Sequence, residues 1–173
     1  MRRIVLLLAS MAVTVLVAAG VAIAVEKIGT NQGERILGTD SRDILYGRGG
    51  NDSLRAFLGN DELIGGSGND RAQGGPGADE LYGTSGADTM NGGEDNDGVY
   101  GGVGDDGTVD APGLFGGSGT DDISGGWGDD VINSRDGLAN DSVSCGPNRD
   151  IAFVDERDTV SPDCEDVRSL PLP

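Results

Sequence analysis

At 173 residues the chain has room for one domain, but its 32 glycines and an aromatic content of 4% leave too little bulk for a conventional layered core. The formal net charge is −18, and Arg2 and Arg3 are the only charged residues before Glu26, so the remainder is more acidic still. Such a chain repels nucleic acid and anionic lipid, and its composition is typical of disorder unless cations neutralise the carboxylates.

The first residues predict an export signal. Met1-Arg2-Arg3 form a short basic region, and an apolar stretch runs from Ile4 to Val25 with Ala22-Ile23-Ala24 near its end. A basic start, an apolar run and small residues at a cleavage point are typical of a secretory signal peptide, which we place at 1–24. An uncleaved membrane anchor is the alternative, because the run is about as long as a spanning helix. In both cases the rest of the chain is expected outside the cytoplasm.

An aspartate recurs every nine residues along the middle of the chain. The register is unbroken from the first of these residues to the eighth, and it resumes after a six-residue insertion at 110–115. A fixed period of this kind is the signature of a repeat protein, whose units stack on one another instead of surrounding one central core. The recurring residues are Asp43, Asp52, Asp61, Asp70, Asp79, Asp88, Asp97, Asp106, Asp121 and Asp130.

A second pattern surrounds each of these aspartates. It is most complete in Gly65–Asp70, Gly74–Tyr82 and Gly116–Ile123, which read G-G-x-G-x-D-x-U-x with U apolar. This nonapeptide resembles the RTX (hemolysin-type) calcium-binding repeat of secreted bacterial proteins. The resemblance implies an all-β fold, a right-handed parallel β-roll solenoid, over residues 38–133. Residues 25–37 form a degenerate repeat that would cap the first coil.

The repeat predicts which residues share a face of such a roll. Glycines suit turns that need positive φ and x-U-x suits a short strand, so two nonapeptides make one 18-residue coil. Residues 18 apart then stack about 4.8 Å from coil to coil. Four residues share one outer face, namely Tyr46, Ile64, Tyr82 and Tyr100. The expected inward ladders are Leu45, Leu63, Leu81 and Val99 on one side, and Leu54, Ala72, Met90 and Thr108 on the other.

Stacking also predicts rows of aspartates along the two edges of the roll. Uncompensated rows of like charge would push the coils apart, and calcium removes this repulsion because it binds carboxylate and backbone carbonyl oxygens together. The family resemblance implies that each ion lies between two turns, which predicts about six Ca²⁺ ions within 38–111. The predicted ligands are the side chains of the ten recurring aspartates, with turn carbonyls in addition.

The segment 134–173 differs in kind and is predicted as a capping module. Cys145 and Cys164 are the two cysteines of the chain, and an even count in an exported protein favours a disulfide; two free buried thiols are the alternative. A zinc site is not expected, because the chain has no histidine and two thiolates alone do not make a tetrahedral set. Residues Ser142 to Val167 look like the terminal module found behind such repeats, so we expect strands that close the open end of the roll.

The leading hypothesis is a secreted calcium-binding protein whose ions drive folding and rigidity outside the cell. The alternative is an extracellular adhesion or interaction module that uses the roll as a platform, and its protein or cell-surface partner is unknown. An enzyme is not expected, because without histidine there is no Ser/His or Cys/His nucleophile system. The regular aspartate spacing already has a structural use, so it does not indicate a catalytic carboxylate pair.

Overall fold

The computed structural model describes residues 12–15, 24–108, 111–137 and 140–170, which form strands joined by tight turns. These residues contain no helix long and apolar enough to cross a membrane. The strands are β1 (Ala12–Val15), β2 (Val25–Ile28), β3 (Arg35–Leu37), β4 (Ile44–Gly49), β5 (Ser53–Arg55), β6 (Glu62–Ser67), β7 (Arg71–Pro76), β8 (Glu80–Ser85), β9 (Thr89–Glu94), β10 (Gly98–Val103), β11 (Gly107–Thr108), β12 (Ala111–Pro112), β13 (Leu114–Ser118), β14 (Asp122–Trp127), β15 (Val131–Asn133), β16 (Ser142–Ser144), β17 (Ile151–Asp155), β18 (Thr159–Val160) and β19 (Asp166–Leu170).

The strands alternate along the chain between two sheets. Sheet A has the order β1-β2-β4-β6-β8-β10-β14-β16-β18, and sheet B has the order β19-β17-β15-β13-β9-β7-β5-β3. From β2 onward in sheet A, and throughout sheet B, neighbouring strands are parallel. The predicted all-β parallel roll is therefore confirmed. Most of the predicted signal peptide lies outside the described residues, and its described strand β1 pairs antiparallel with β2.

Glycine produces the turns for two different reasons. The second and fourth residues of the repeat have positive φ, as at Gly66 (109°) and Gly68 (124°), a conformation that costs glycine little. The first glycine does not have positive φ, but a Cβ at Gly83 would lie 2.4 Å from Oδ2 of Asp88 and 2.5 Å from the carbonyl oxygen of Gly101. Its requirement is thus steric, because the carboxylate and the next coil occupy the space of a side chain.

The core consists of two inward ladders. In sheet A the side chains at positions 45, 63, 81 and 99 stack in register, as predicted, and each is 0% exposed. In sheet B the ladder runs from Ile36 through Leu54 and Ala72 to Met90. A fully buried aliphatic side chain contributes about 1.5–3 kcal/mol, so this thin core relies on repetition of the same contact.

The insertion is accommodated by a hairpin that leaves the roll. Strands β11 and β12 pair antiparallel with each other, and the chain returns to sheet B at β13, where Leu114 pairs with Met90. Leu114 is 0% exposed and takes the inward place that was predicted for Thr108, which is exposed. The prediction for Thr108 was wrong because the register breaks directly after Asp106, before the predicted insertion begins.

The segment predicted as a capping module carries strands β16 to β19, and these strands continue both sheets. β16 pairs parallel with β14 and β17 with β15, each across 20 residues instead of 18. β18 and β19 add one more strand to each sheet. Cys145 and Cys164 form the predicted disulfide, which joins the turn after β16 to the turn before β19 and has a Cα–Cα distance of 5.0 Å.

Candidate metal-binding rows

All ten predicted ligand residues lie at the turn that precedes a strand, and all ten are buried. The most exposed of them, Asp97, has a relative exposure of 4%. Successive aspartates alternate between the two edges of the roll, because nine residues make half a coil and each half-coil runs from one edge to the other. One edge carries Asp43, Asp61, Asp79, Asp97 and Asp121, and the other carries Asp52, Asp70, Asp88, Asp106 and Asp130.

One oxygen of each carboxylate joins neighbouring coils. The backbone N–H of Asp61 donates to Oδ1 of Asp79 at 2.8 Å, and the N–H of Asp79 donates to Oδ1 of Asp97 at 2.8 Å. The same bond crosses the insertion, since the N–H of Asp97 donates to Oδ1 of Asp121 at 2.9 Å. The aspartates therefore form two continuous hydrogen-bonded ladders between main chain and side chain.

The second carboxylate oxygen has no such partner. In eleven buried aspartates Oδ2 accepts no hydrogen bond from any residue that the structure describes. A buried carboxylate oxygen without a partner is costly, because it loses water and gains no donor in return. These oxygens belong to Asp52, Asp61, Asp70, Asp79, Asp88, Asp97, Asp106, Asp121, Asp130, Asp141 and Asp150.

Backbone carbonyls lie beside these oxygens. The point at which Gly65 would carry a Cβ is 2.5 Å from Oδ2 of Asp70 and 3.0 Å from the carbonyl oxygen of Gly83, and Gly92 has the same surroundings with Asp97 and Gly116. Carboxylate and carbonyl oxygens together are the ligand set that calcium prefers. Within the described residues no three His, Cys, Asp or Glu side chains form a cluster, so a cation here would need main-chain oxygens as well. The residues present thus fit calcium.

Burial makes these carboxylates resist ionisation in the free roll. Desolvation raises the pKa of Asp79 to about 7, against a smaller lowering by the backbone N–H of Asp61, and the charge of Asp61 raises it further. The pKa of Asp97 rises to about 8 for the same first reason, with the like charges of Asp79 and Asp121 adding to it. A bound divalent cation reverses this balance, because it favours the ionised form.

Two of the carboxylates depart from the common pattern. Oδ2 of Asp43, at the start of its row, accepts hydrogen bonds from the backbone N–H and the hydroxyl of Thr39. Both carboxylate oxygens of Asp43 therefore accept hydrogen bonds, whereas Oδ2 of the later aspartates in its row has no donor among the described residues. In the turn of Asp61 the place of the first glycine is held by Ala56, whose buried methyl group leaves less room beside the carboxylate.

Sequence reasoning did not include two residues that extend the rows. The N–H of Asp121 donates to Oδ1 of Asp141, and the N–H of Asp130 donates to Oδ1 of Asp150, at 2.9 and 2.8 Å. Both aspartates are 0% exposed. A signal was present: Asp141 and Asp150 are nine residues apart, and residues 145–150 form a degenerate turn with positive φ at its second and fourth positions.

The fold and the two rows define a class, a β-solenoid that binds cations in its turns. Residues 28–56, 37–72, 73–107 and 114–137 match the family model of the RTX calcium-binding nonapeptide repeat, in four copies that together cover more than half of the chain. The chain belongs to the RTX calcium-binding repeat family, and it is a calcium-binding β-roll protein. No curated protein matches it significantly.

Proposed function

We propose that this protein is exported and that calcium folds it and holds it rigid outside the cell. One observation carries the proposal: eleven buried carboxylate oxygens lack a donor within the described residues. Because the roll has few other sources of stability, the free energy of ion binding becomes free energy of folding. The ligands we propose are the aspartates from Asp52 to Asp150 along both edges, together with turn carbonyls. This range adds ions at the C-terminal coils to the approximately six expected from the turns of 38–111.

Two features support export. Residues 1–24 have the basic start, apolar run and small residues of a signal peptide. The Cys145–Cys164 disulfide fits an oxidising compartment, since disulfides rarely persist in the bacterial cytoplasm. Extracellular calcium reaches millimolar concentrations, which suits modules whose affinity is too low for the cytoplasm. We assign the carboxylates a structural role and not a catalytic one, because they recur in the same turn and the same hydrogen-bonded ladder along both edges of the roll.

The test is a calcium titration of the exported chain after removal of metal. Far-ultraviolet circular dichroism is expected to change from coil to β on addition of millimolar calcium, and magnesium is expected to act poorly because it demands octahedral geometry and retains its waters. The single tryptophan, Trp127, is 65% exposed at the end of β14 and provides a second, local signal through its fluorescence. A β spectrum that is already complete in chelator would contradict the proposal.

A second candidate function is an extracellular adhesion or interaction module. It is favoured by the outer face of sheet A, where Tyr46, Ile64, Tyr82 and Tyr100 are in register and half-buried. The rings of Tyr82 and Tyr100 stack with centroids 5.0 Å apart and planes inclined by 15°. Rings that are already ordered lose little entropy on binding, so they suit an interface, although the same stack also stabilises the sheet.

A further inference from the structure

The two outer faces of the roll carry opposite charges. On sheet A, the outward residue before each inward position is acidic in four strands, at Glu26, Glu62, Glu80 and Asp122. Within the described structure, the outward positions directly beside the inward ladder in β2, β4, β6, β8, β10 and β14 carry no lysine or arginine. Two arginines lie nearby: Arg48 is exposed near the end of β4, and Arg42, before β4, borders the hollow lined by Glu62 and Glu80. We call this surface, together with the tyrosine row, the acidic face.

Sheet B presents a basic face, formed by Arg35, Arg55 and Arg71. All three side chains are exposed, and none makes an ion pair with any residue that the structure describes. They line a shallow hollow of about 490 Å³ whose other polar lining residues are Ser53, Gln73, Thr89 and Asn91, and no acidic residue lines it. The guanidinium of Arg55 lies over the ring of Phe57, 4.8 Å from its centroid, so the three arginines lack an acidic partner among the described residues in a chain with a net charge of −18.

The charges on the two faces have the same spacing. Glu26 and Glu62 lie on strands separated by one intervening strand of sheet A, and Arg35 and Arg71 lie on strands separated by one intervening strand of sheet B. Both separations are therefore two coils, or about 9.6 Å. On the coil between them, Tyr46 stands on the acidic face and Arg55 on the basic face, and Tyr46 of another copy would offer Arg55 a second aromatic ring, besides Phe57, for a cation–π contact. An acidic face and a basic face brought together would thus match at three successive coils.

We propose that the acidic face of one copy of this protein docks on the basic face of a second copy. The contact is heterologous, so each copy retains one free face of each sign and association continues into open chains. The three matched coils, with strands of three to six residues, give a contact of roughly 300 Å² per partner, which is below the usual size of a specific interface, so the association is expected to be weak. The docking rests on the calcium-folded roll of the proposed function, and calcium also offsets the net negative charge that would hold copies apart.

The experiment is sedimentation velocity of the exported chain in millimolar calcium, at protein concentrations from about 0.02 to 1 mM, a range chosen for a weak interface. The wild type is expected to show a sedimentation coefficient that rises with concentration and falls in about 0.5 M NaCl, where screening is strong. Arg35→Glu/Arg71→Glu and Glu26→Lys/Glu62→Lys are each expected to remain monomeric. Their equimolar mixture is expected to associate again, because the first variant keeps an intact acidic face and the second an intact basic face.

Circular dichroism with calcium separates failure of docking from failure of folding, and the neutral variants Arg35→Gln/Arg71→Gln and Glu26→Gln/Glu62→Gln replace any reversal variant that does not fold. A wild-type chain that folds with calcium but stays monomeric up to about 1 mM overturns the docking and leaves the calcium proposal intact. Association that survives both double substitutions also overturns it. Binding of polyglutamate to the basic face without self-association would assign that face to a different acidic polymer and would count against a second copy.

Discussion

The backbone N–H of Asp79 donates a 2.8 Å hydrogen bond to Oδ1 of Asp97, whereas Oδ2 of Asp97 is buried without a donor from the described residues. Each aspartate in the middle of a row therefore divides its two oxygens between two tasks. Oδ1 joins one coil to the previous one, and Oδ2 is left for a cation. The two tasks can be separated by experiment, because an amide retains an acceptor and removes the charge.

Asp79→Asn is expected to have opposite effects with and without calcium. Without calcium it removes a buried charge, so the metal-free roll should become more stable by about 1–2 kcal/mol at pH 8. With calcium it removes a ligand from the centre of a row, and the affinity should fall at least tenfold. The first effect is measured as a smaller amount of trimethylamine oxide needed to fold the chain in chelator, and the second by calorimetric titration.

Asp43→Asn is the matched control. Oδ2 of Asp43 already accepts hydrogen bonds from Thr39, and this residue is at the end of its row. Its substitution should therefore change the calcium affinity less than Asp79→Asn does. Equal losses of affinity at the two positions would argue against cation binding between stacked coils.

Acid should partly replace calcium. Burial raises the pKa of Asp70 to about 6, that of Asp79 to about 7 and that of Asp97 to about 8 in the folded chain, above the usual value near 4. A raised folded pKa stabilises the fold below the unfolded pKa, and this stability is lost as pH rises through the folded pKa. In chelator, the β signal should therefore increase as pH is lowered from 8 to about 5, while calcium affinity decreases because protons compete. A metal-free chain that loses β signal on acidification would contradict this assignment.

The metal-binding rows should extend beyond the part of the chain that matches the family model. Asp141→Asn and Asp150→Asn each remove a charged oxygen that has no donor among the described residues. Each is expected to lower the number of calcium ions bound per chain, as measured by calorimetry or native mass spectrometry. Asp166→Asn is the control, because Asp166 is partly exposed and pairs with Arg168 at 2.8 Å. If Asp141→Asn and Asp150→Asn leave the stoichiometry unchanged, the rows end at Asp130.

The disulfide should protect one end of the roll. Cys145 holds the place of the first glycine in its turn, and its carbonyl oxygen and Oδ2 of Asp130 both approach Gly125. Reduction, or Cys145→Ser with Cys164→Ser, is expected to cost about 3 kcal/mol through the entropy of the closed loop. Hydrogen exchange in calcium should then show lost protection in β16 to β19 and unchanged protection in β4 to β8. A loss spread evenly over both regions would mean that the disulfide does not act locally.

Much of the fold could be predicted because the information is periodic and local. Glycines fix the turns, and an apolar residue stands two positions after each recurring aspartate except Asp106. Two periods of nine then place Leu45 over Leu63 and Leu81 with no knowledge of the tertiary contacts. The burial of all ten aspartates follows from the same period. In a repeat protein, a correct prediction for one unit also applies to the other units that share its pattern.

The tertiary structure decided what happens where the period fails. A spacing of 24 residues still gives parallel register because the β11–β12 hairpin leaves the roll and returns, so Leu114 and not Thr108 completes the ladder. The later spacing of 20 residues, between β14 and β16, also keeps parallel register. Stacking also determined that Asp141 and Asp150 continue the rows, that Thr39 satisfies Asp43, and that acidic and basic residues face opposite ways. The sequence by itself determined the repeating coil, since that depends on local turns. The register across the insertion, the extension of the rows and the partner of Asp43 depend on contacts between coils. Those contacts join residues that no short sequence pattern connects.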